Sequence, residues 1–101
     1  MLDMDRIRVR EALIASIKKV LESCRQQVPD LKDETCPLDI FGFESYTWPY
    51  AMDDIAVELG IDIPDDVNIF LGKTQKGQRA RRLTIGQIVD VILMLSVRQS
   101  A

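Results

Sequence analysis

The sequence predicts one all-α domain of four helices, with a long structured first loop and a short third helix. Three segments place apolar residues at spacings of three, four and seven, which is typical of amphipathic helices. No segment alternates apolar and polar residues as a half-buried strand does. The 101 residues, 47% of them hydrophobic and 29% charged, suffice for a single core. We therefore expect one domain over residues 1–101.

The first helix is expected over about residues 5–27, where apolar positions recur on one face. These positions are Ile7, Leu13, Ile14, Ile17, Val20, Leu21 and Cys24. Pro29 marks the end of the helix. The connection over about residues 30–44 is rich in Asp and Pro, yet it carries apolar side chains that predict a loop packed over the helices. They are Leu31, Leu38, Ile40, Phe41 and Phe43.

The second helix is expected over about residues 45–59. Its buried face is formed by Met52, Ile55, Ala56 and Leu59. Gly60 is placed to end the helix, and either Ser45 or Thr47 could cap its N-terminus. Pro49 is tolerated because it falls within the first turn, where no intrahelical hydrogen bond is lost.

The chain is less regular after the second helix. Residues 61–65 are expected to be extended, since the residue before Pro64 avoids the helical region. Residues 65–71 are expected to form the short third helix. The last helix opens with a capping box of Thr84 and Gln87. Its buried stripe is Ile85, Ile88, Ile92 and Leu95.

The composition argues against several classes of function. The chain has no histidine, which removes the commonest catalytic base and the commonest nitrogen ligand of zinc. Cys24 and Cys36 lack the spacing of a redox or zinc motif, so we expect two reduced thiols. No apolar run approaches about 20 residues, and the first residues are charged throughout. We therefore expect a cytoplasmic, non-catalytic protein without a membrane span or a resident metal.

The segment around Ser45 carries a motif. Phe41-Gly42-Phe43-Glu44-Ser45-Tyr46 resembles the Gly-x-Asp-Ser-Leu motif with which acyl carrier proteins begin their second helix. Leu59-Gly60-Ile61-Asp62-Ile63-Pro64-Asp65 resembles the end of that helix in the family, which reads Phe-Gly-Ile-x-Ile-Pro-Asp. Leu83-Thr84-Ile85 resembles the Thr-Val opening of the family's last helix. The resemblance covers most of the chain.

The resemblance implies a four-helix bundle of the acyl-carrier-protein type. It implies a covalent 4'-phosphopantetheine on Ser45, attached by a phosphopantetheinyl transferase, with Gly42, Glu44 and Tyr46 completing the motif. The arm would hold acyl or aminoacyl groups as thioesters, loaded by partner ligases or synthases. The implied role is that of a monomeric, non-catalytic carrier in specialised fatty-acid, polyketide or related biosynthesis.

The distribution of acidic residues predicts a docking surface. Acidic residues recur between residues 39 and 66, and this segment contains no lysine or arginine. Acyl carrier proteins use an acidic second helix to dock on basic patches of their partners. The docking residues expected here are Tyr46, Trp48, Asp53, Asp54 and Glu58. The alternatives are an ordinary solvated helix face and a Trp48 that packs against the first loop.

Departures from the family motif leave a second function open. Glu44 replaces the family's aspartate, Tyr46 replaces its leucine, and Trp48-Pro49-Tyr50 introduces bulky groups. These changes indicate a specialised set of partners. They also permit an unmodified acyl-carrier-like interaction module, an adaptor or regulator that binds partners through its acidic second helix and an exposed cluster of Tyr46, Trp48 and Tyr50. Ser45 would then act only as a helix N-cap.

A basic insertion at about residues 68–82 is a further departure. Its cations are Lys73, Lys76, Arg79, Arg81 and Arg82. They could pair with the acidic second helix, with a partner or with phosphate, or remain solvated. Gly72-Lys73-Thr74 resembles half of a P-loop, but the first glycine is missing, so no nucleotide site is expected. The net charge of −3 argues against a nucleic-acid partner.

Overall fold

The computed structural model describes residues 5–64, 67–72 and 81–100. The elements are helix α1 (Arg6–Ser23), a 3₁₀ turn (Pro37–Asp39), helix α2 (Trp48–Leu59), strands β1 (Leu71–Gly72) and β2 (Arg81–Arg82), and helix α3 (Ile85–Ser100). Helix α1 packs against both α2 and α3. The described part of the chain is thus mostly helical, with three helices and a small two-stranded sheet. This differs from the four-helix bundle that the sequence predicts.

Helix α1 is shorter than predicted, and the first residue of its buried face is Val9 rather than Ile7. It begins where the Asp5 carboxylate accepts a hydrogen bond from the Arg8 backbone N–H at 2.7 Å, and Arg25 (φ 58°) lies beyond its end in the left-handed region. Ile7 is 71% exposed, whereas Val9 is fully buried. Two residues correspond to about 200° of helix rotation, so only one of these two side chains can face the core. The prediction for Ile7 was therefore wrong.

Most of the remaining predicted α1 face is confirmed, although Cys24 lies just beyond the helix as its C-cap and is half-buried. Leu13, Ile17, Val20 and Leu21 are buried, while Ile14 is half-buried and packs against the core. Ser16 is also buried on this side of the helix. The buried positions therefore follow the spacing of three and four residues that an amphipathic helix requires.

The first loop packs against the helices, as predicted. The backbone N–H groups of Ile85 and Gly86, at the start of α3, donate to the carbonyls of Thr35 and Asp33 at 2.8 and 2.9 Å. Arg10 of α1 donates to the Asp33 carboxylate at 2.6 Å. These bonds supply loop partners for N–H groups that a helix start cannot satisfy internally. Phe41 is an exception to the predicted apolar anchors, because it is 84% exposed.

Helix α2 begins three residues later than predicted and ends where predicted. Pro49 lies in its first turn. Gly60 follows the last helical residue with φ 67° and ψ 33°, the left-handed conformation that closes many helices. Ala51, Ile55 and Leu59 are buried against the core. Met52 and Ala56, which were predicted to share that face, are half-buried.

The predicted short third helix is not formed over residues 67–72. Leu71 and Gly72 of β1 instead pair antiparallel with Arg82 and Arg81 of β2. The Asn68 side-chain oxygen accepts a hydrogen bond from the Phe70 N–H at 2.9 Å, which offers the backbone an alternative to helical bonding. The prediction of an all-α fold is corrected accordingly. The central part of the basic insertion, residues 73–80, lies outside the described residues.

Helix α3 matches its prediction closely. The Thr84 N–H donates to the Gln87 side-chain oxygen at 2.9 Å, and the Gln87 N–H donates to the Thr84 hydroxyl at 3.2 Å. This reciprocal pair is the predicted capping box. The buried stripe of Ile85, Ile88, Ile92 and Leu95 is confirmed. Across residues 5–64, 67–72 and 81–100, none of the helices has the length and apolar character needed to span a bilayer.

A pair of glycine substitutions tests the packing of the first loop on α1. Gly42 has φ 93°, and an added Cβ would overlap the Gln26 side chain, whereas Gly60 has open space around it. We expect Gly42→Ala to lower the free energy of unfolding by about 3 kcal/mol, through backbone strain and the overlap together. Gly60→Ala should cost about 1 kcal/mol, because only the left-handed backbone is strained. Urea denaturation measures both, and equal losses would contradict the packing of Gly42 on Gln26.

Candidate functional site

Ser45 lies at the tip of a tight turn between two buried residues. The Glu44 carbonyl accepts hydrogen bonds from both the Thr47 N–H (2.9 Å) and the Thr47 hydroxyl (2.6 Å). The first of these bonds closes a four-residue turn with Ser45 and Tyr46 at its central positions. Phe43 and Thr47 are buried on either side, whereas Ser45 and Tyr46 are exposed. We call residues 44–47 the Ser45 turn.

An aromatic cluster of Phe43, Trp48 and Phe70 lies beneath the Ser45 turn. Phe43 and Phe70 meet edge to face, with ring centroids 5.2 Å apart and an interplanar angle of 80°, and Trp48 lies 6.5 Å from Phe70. Such edge-to-face contacts add about 0.5–1.5 kcal/mol beyond area burial. The Trp48 indole N–H donates to the Phe43 carbonyl at 3.2 Å. Trp48 therefore packs against the first loop, which is the arrangement given above as the alternative to a docking role.

The Ser45 hydroxyl is exposed and makes no hydrogen bond within the described part of the chain. The residue at the N-cap position of α2 is Thr47, and no side chain caps this helix. The expectation that Ser45 or Thr47 caps the helix was therefore wrong, and so was the alternative that Ser45 acts only as an N-cap. Among residues 5–64, 67–72 and 81–100, the hydroxyl therefore has no structural partner.

Unpaired backbone donors lie in the Ser45 turn and also in the first turn of α2, where the Tyr50 N–H has no partner among the described residues. The N–H groups of Thr47 and Trp48 donate to the carbonyls of Glu44 and Ser45, and Pro49 has no N–H group. Within the described residues, the N–H groups of Ser45 and Tyr46 make no hydrogen bond. These two N–H groups are therefore the donors available beside the Ser45 hydroxyl, together with the positive end of the α2 dipole.

The four residues of the motif have different environments. Gly42 is buried with its positive φ against Gln26, where any other residue would be strained. Glu44, Ser45 and Tyr46 are exposed. Glu44 contributes its backbone carbonyl to the turn, while its side chain makes no hydrogen bond or ion pair within the described residues.

The predicted acidic docking residues divide into two groups. Asp53 and Glu58 are exposed on α2. Asp54 instead accepts hydrogen bonds from Ser16 (2.8 Å) and Lys19 (3.1 Å) of α1. The Ser16 hydrogen bond, followed by that of Lys19, holds the pKa of Asp54 below its usual value, because both favour the charged carboxylate. Asp54 therefore joins α2 to α1.

An apolar strip on α2 was predicted only in part, because Tyr46 and Tyr50 were expected to belong to an exposed docking cluster, whereas Val57 was given no docking role. Tyr50 is 70% exposed and Val57 is 83% exposed, and their spacing of seven residues places them on one face of the helix. Tyr46 extends the exposed aromatic surface into the Ser45 turn. The spacing of residues 50 and 57 could have revealed this strip, but apolar residues at helical spacing usually indicate a core. We call Tyr46, Tyr50 and Val57 the apolar strip.

One described cation of the basic insertion has a partner in the first loop. Arg82 of β2 forms an ion pair with Asp39, at the end of the 3₁₀ turn. Both side chains are more than half exposed, so this pair contributes little to stability. It does place the start of the acidic segment beside β2. Lys73, Lys76 and Arg79 lie outside the described residues.

A cleft of about 620 Å³ opens between the end of α1 and the first loop. Its lining includes Gln26, Val28, Pro29, Ile40 and Phe41. The thiol-bearing Cys36 also lines it, and both Cys36 and Cys24 are free, as predicted. Among residues 5–64, 67–72 and 81–100, no group of acidic or cysteine side chains is arranged to hold a metal ion.

Comparison of the chain with protein-family models, with curated proteins and with solved structures gives no significant match. The resemblance to acyl carrier proteins therefore depends on the motif around Ser45 and its flanking segments.

The Asp54 contacts predict a pH-dependent contribution to stability. Because the folded-state pKa of Asp54 is lowered, its contribution is fully present above the usual value of about 3.8 and is lost as the pH falls through the folded-state pKa. We expect Asp54→Asn to lower the free energy of unfolding by about 1 kcal/mol at pH 7. The difference from the wild type should shrink below about pH 3.8.

Asp53→Asn is the matched control, since Asp53 is an exposed carboxylate on the same helix without a hydrogen-bonded partner in the described residues. Its effect at pH 7 should be within about 0.5 kcal/mol. Urea denaturation at pH 7 and at pH 3 measures both variants. A deficit in Asp54→Asn that is equal at the two pH values would show that the charge of Asp54 plays no part.

Proposed function

We propose that this protein is a carrier that holds acyl or aminoacyl groups as thioesters on a 4'-phosphopantetheine arm attached to Ser45. One observation carries the proposal: the Ser45 hydroxyl is exposed at the tip of a turn that follows the buried Phe43 and is closed by the buried Thr47, and it makes no hydrogen bond within the described residues. An attachment site needs a primary hydroxyl that a transferase can reach and that the fold does not itself require. The turn before α2 meets both conditions.

The attachment step is a phosphoryl transfer from coenzyme A. The Ser45 oxygen forms a bond to the phosphorus that bears pantetheine, and the bond from that phosphorus to the adenosine half breaks. Adenosine 3',5'-bisphosphate leaves, and the hydroxyl proton passes to a base of the transferase. This chain has no histidine to act as that base, so its own contribution is the presentation of the hydroxyl.

The product fits the electrostatics of the turn. A phosphodiester on Ser45 would lie beside the free N–H groups of Ser45 and Tyr46 and near the N-terminus of α2. Both features favour an anion. Glu44 opposes it, since its exposed carboxylate is the neighbouring residue. The N–H groups and the helix dipole therefore stabilise the phosphodiester on Ser45, whereas the Glu44 carboxylate repels it.

The surface of α2 supports recognition by basic partners. The apolar strip provides exposed apolar area, and Asp53 and Glu58 provide negative charge on the same helix. An apolar centre with a charged rim is the usual composition of a protein interface. We propose that transferases and loading enzymes bind this surface through apolar contacts and complementary positive charge.

Intact-mass analysis tests the attachment. After coexpression with a promiscuous phosphopantetheinyl transferase, the wild type should gain the mass of one phosphopantetheine group. Ser45→Ala should gain nothing, because the proposal places the arm on the Ser45 hydroxyl. Ser23→Ala is the matched control, since Ser23 is an exposed serine at the end of α1, and it should be modified like the wild type.

Two results would reject this assignment. The first is a wild type that stays at its unmodified mass with an active transferase that modifies a known carrier in parallel. The second is an adduct of unchanged yield on Ser45→Ala, which would place the arm elsewhere.

A second candidate function is an unmodified interaction module, and the exposed apolar strip favours it. On that proposal, partner binding would depend on Tyr50 and Val57 and would be indifferent to Ser45→Ala. The two candidates share a docking surface and differ in the use of Ser45. Intact mass therefore distinguishes them before any partner is identified.

Substitution of the apolar strip tests docking. Tyr50→Ser with Val57→Ser should raise the KM of the transferase for this protein about tenfold, because loss of two buried contacts costs more than about 1 kcal/mol. Met94→Ser removes an exposed apolar side chain from α3 and should leave KM unchanged. Steady-state kinetics with the carrier as varied substrate gives these values. An equal KM for the wild type and the double variant would exclude the strip from transferase docking.

A further inference from the structure

Thr47 has an unusual position for a polar residue. It is only 4% exposed, and it lies directly before α2, where a threonine hydroxyl commonly accepts a hydrogen bond from the helix. Here the hydroxyl makes no such bond. It donates instead to the Glu44 carbonyl at 2.6 Å, the same oxygen that accepts the Thr47 N–H at 2.9 Å. The Thr47 side chain therefore points its only polar group back across the turn that presents Ser45.

We infer that Thr47 is a positioning residue for the modification of Ser45, and this inference rests on the proposed function. The backbone bond from Thr47 to Glu44 closes the turn, and the hydroxyl adds a second bond between the same two residues. Together they restrict the two residues between them, Ser45 and Tyr46, to one arrangement. The Ser45 oxygen is thereby held at one place relative to α2.

Loss of the Thr47 hydroxyl should slow the chemical step of the transferase rather than weaken its binding to this protein. The proposed docking residues Tyr50 and Val57 lie on α2, which is held by its own packing against α1. A transferase bound to α2 meets the Ser45 oxygen only where the turn places it. A displacement of about 1 Å from the reactive position can cost about 100-fold in rate without weakening binding.

Comparison with a second threonine distinguishes a positioning role of Thr47 from a general contribution to stability. Thr35 provides a matched comparison, because its hydroxyl also closes a loop turn by accepting the Lys32 N–H at 3.0 Å. Thr35 belongs to the part of the first loop that bonds to α3, since its carbonyl accepts the Ile85 N–H. Loss of either hydroxyl removes one local hydrogen bond, but only the bond of Thr47 spans Ser45.

The test measures kcat and KM of a phosphopantetheinyl transferase with coenzyme A and four forms of the full chain. These are the wild type, Thr47→Val, Thr47→Ser and Thr35→Val. We expect Thr47→Val, which keeps the shape but loses the hydroxyl, to lower kcat about 10- to 100-fold with KM within about twofold. Thr47→Ser should restore most of kcat, and Thr35→Val should leave both constants unchanged.

The outcomes distinguish the positioning role of Thr47 from the proposed carrier function. A kcat for Thr47→Val equal to that of the wild type overturns the inference alone. So does a loss of kcat in Thr35→Val as large as that in Thr47→Val. If Thr47→Val does not fold, Thr47→Ala is compared with Thr47→Ser, and equal kcat values overturn the inference. A wild type that takes up no phosphopantetheine overturns the proposed function, and the inference fails with it.

Discussion

The structure depends on one constraint, the fixing of the chain around Ser45 by buried contacts on both sides. Phe43 is held before the turn by Phe70 and by the Trp48 indole, which donates to the Phe43 carbonyl. Thr47 is held after it by two bonds to the Glu44 carbonyl. Glu44, Ser45 and Tyr46 between them are exposed, and the Ser45 carbonyl accepts the Trp48 N–H at 3.4 Å. The geometry of Ser45 is therefore set by its buried and hydrogen-bonded neighbours.

The small β-sheet has a role in the same constraint. Strand β1 begins at Leu71, the last residue of the predicted short helix, and Phe70 immediately precedes it. The Leu83 N–H donates to the Phe70 carbonyl at 3.1 Å, so the pairing of the two strands continues to the residue that contacts Phe43 and Trp48. The departure from a four-helix arrangement thus supplies the aromatic cluster. Strands β1 and β2 are thereby joined through Phe70 to Phe43 and Trp48, the residues on either side of the Ser45 turn.

Local features of the fold were predictable from the sequence, and features that depend on distant contacts were not. The capping box of α3 was predicted because both of its hydrogen bonds join Thr84 and Gln87, three residues apart. The third helix was predicted wrongly because residues 67–72 are ordered by Asn68 and by pairing with residues 81–82. Ile7 and Val9 both lie within an apolar pattern, and only the positions of α2 and α3 decide which is buried.

In the candidate site, too, local features were predictable from the sequence and features that depend on distant contacts were not. Ser45 could be singled out from its motif, but the role of Thr47 depends on its burial, which no local pattern indicates. Asp54 was predicted as a docking residue from charge alone, whereas its partners Ser16 and Lys19 lie on another helix. Gly42 was identified by the motif, and the reason for glycine there, its contact with Gln26, became clear only in the fold.

Amide hydrogen exchange by NMR tests the central constraint most directly, because it reports which N–H groups of the segment are bonded and buried. We expect the Thr47 amide and the Trp48 indole N–H to be strongly protected. The amides of Ser45 and Tyr46 should exchange at nearly the rate of an unstructured peptide. Exchange of Thr47 and the Trp48 indole as fast as that of Ser45 would contradict a turn fixed at both ends.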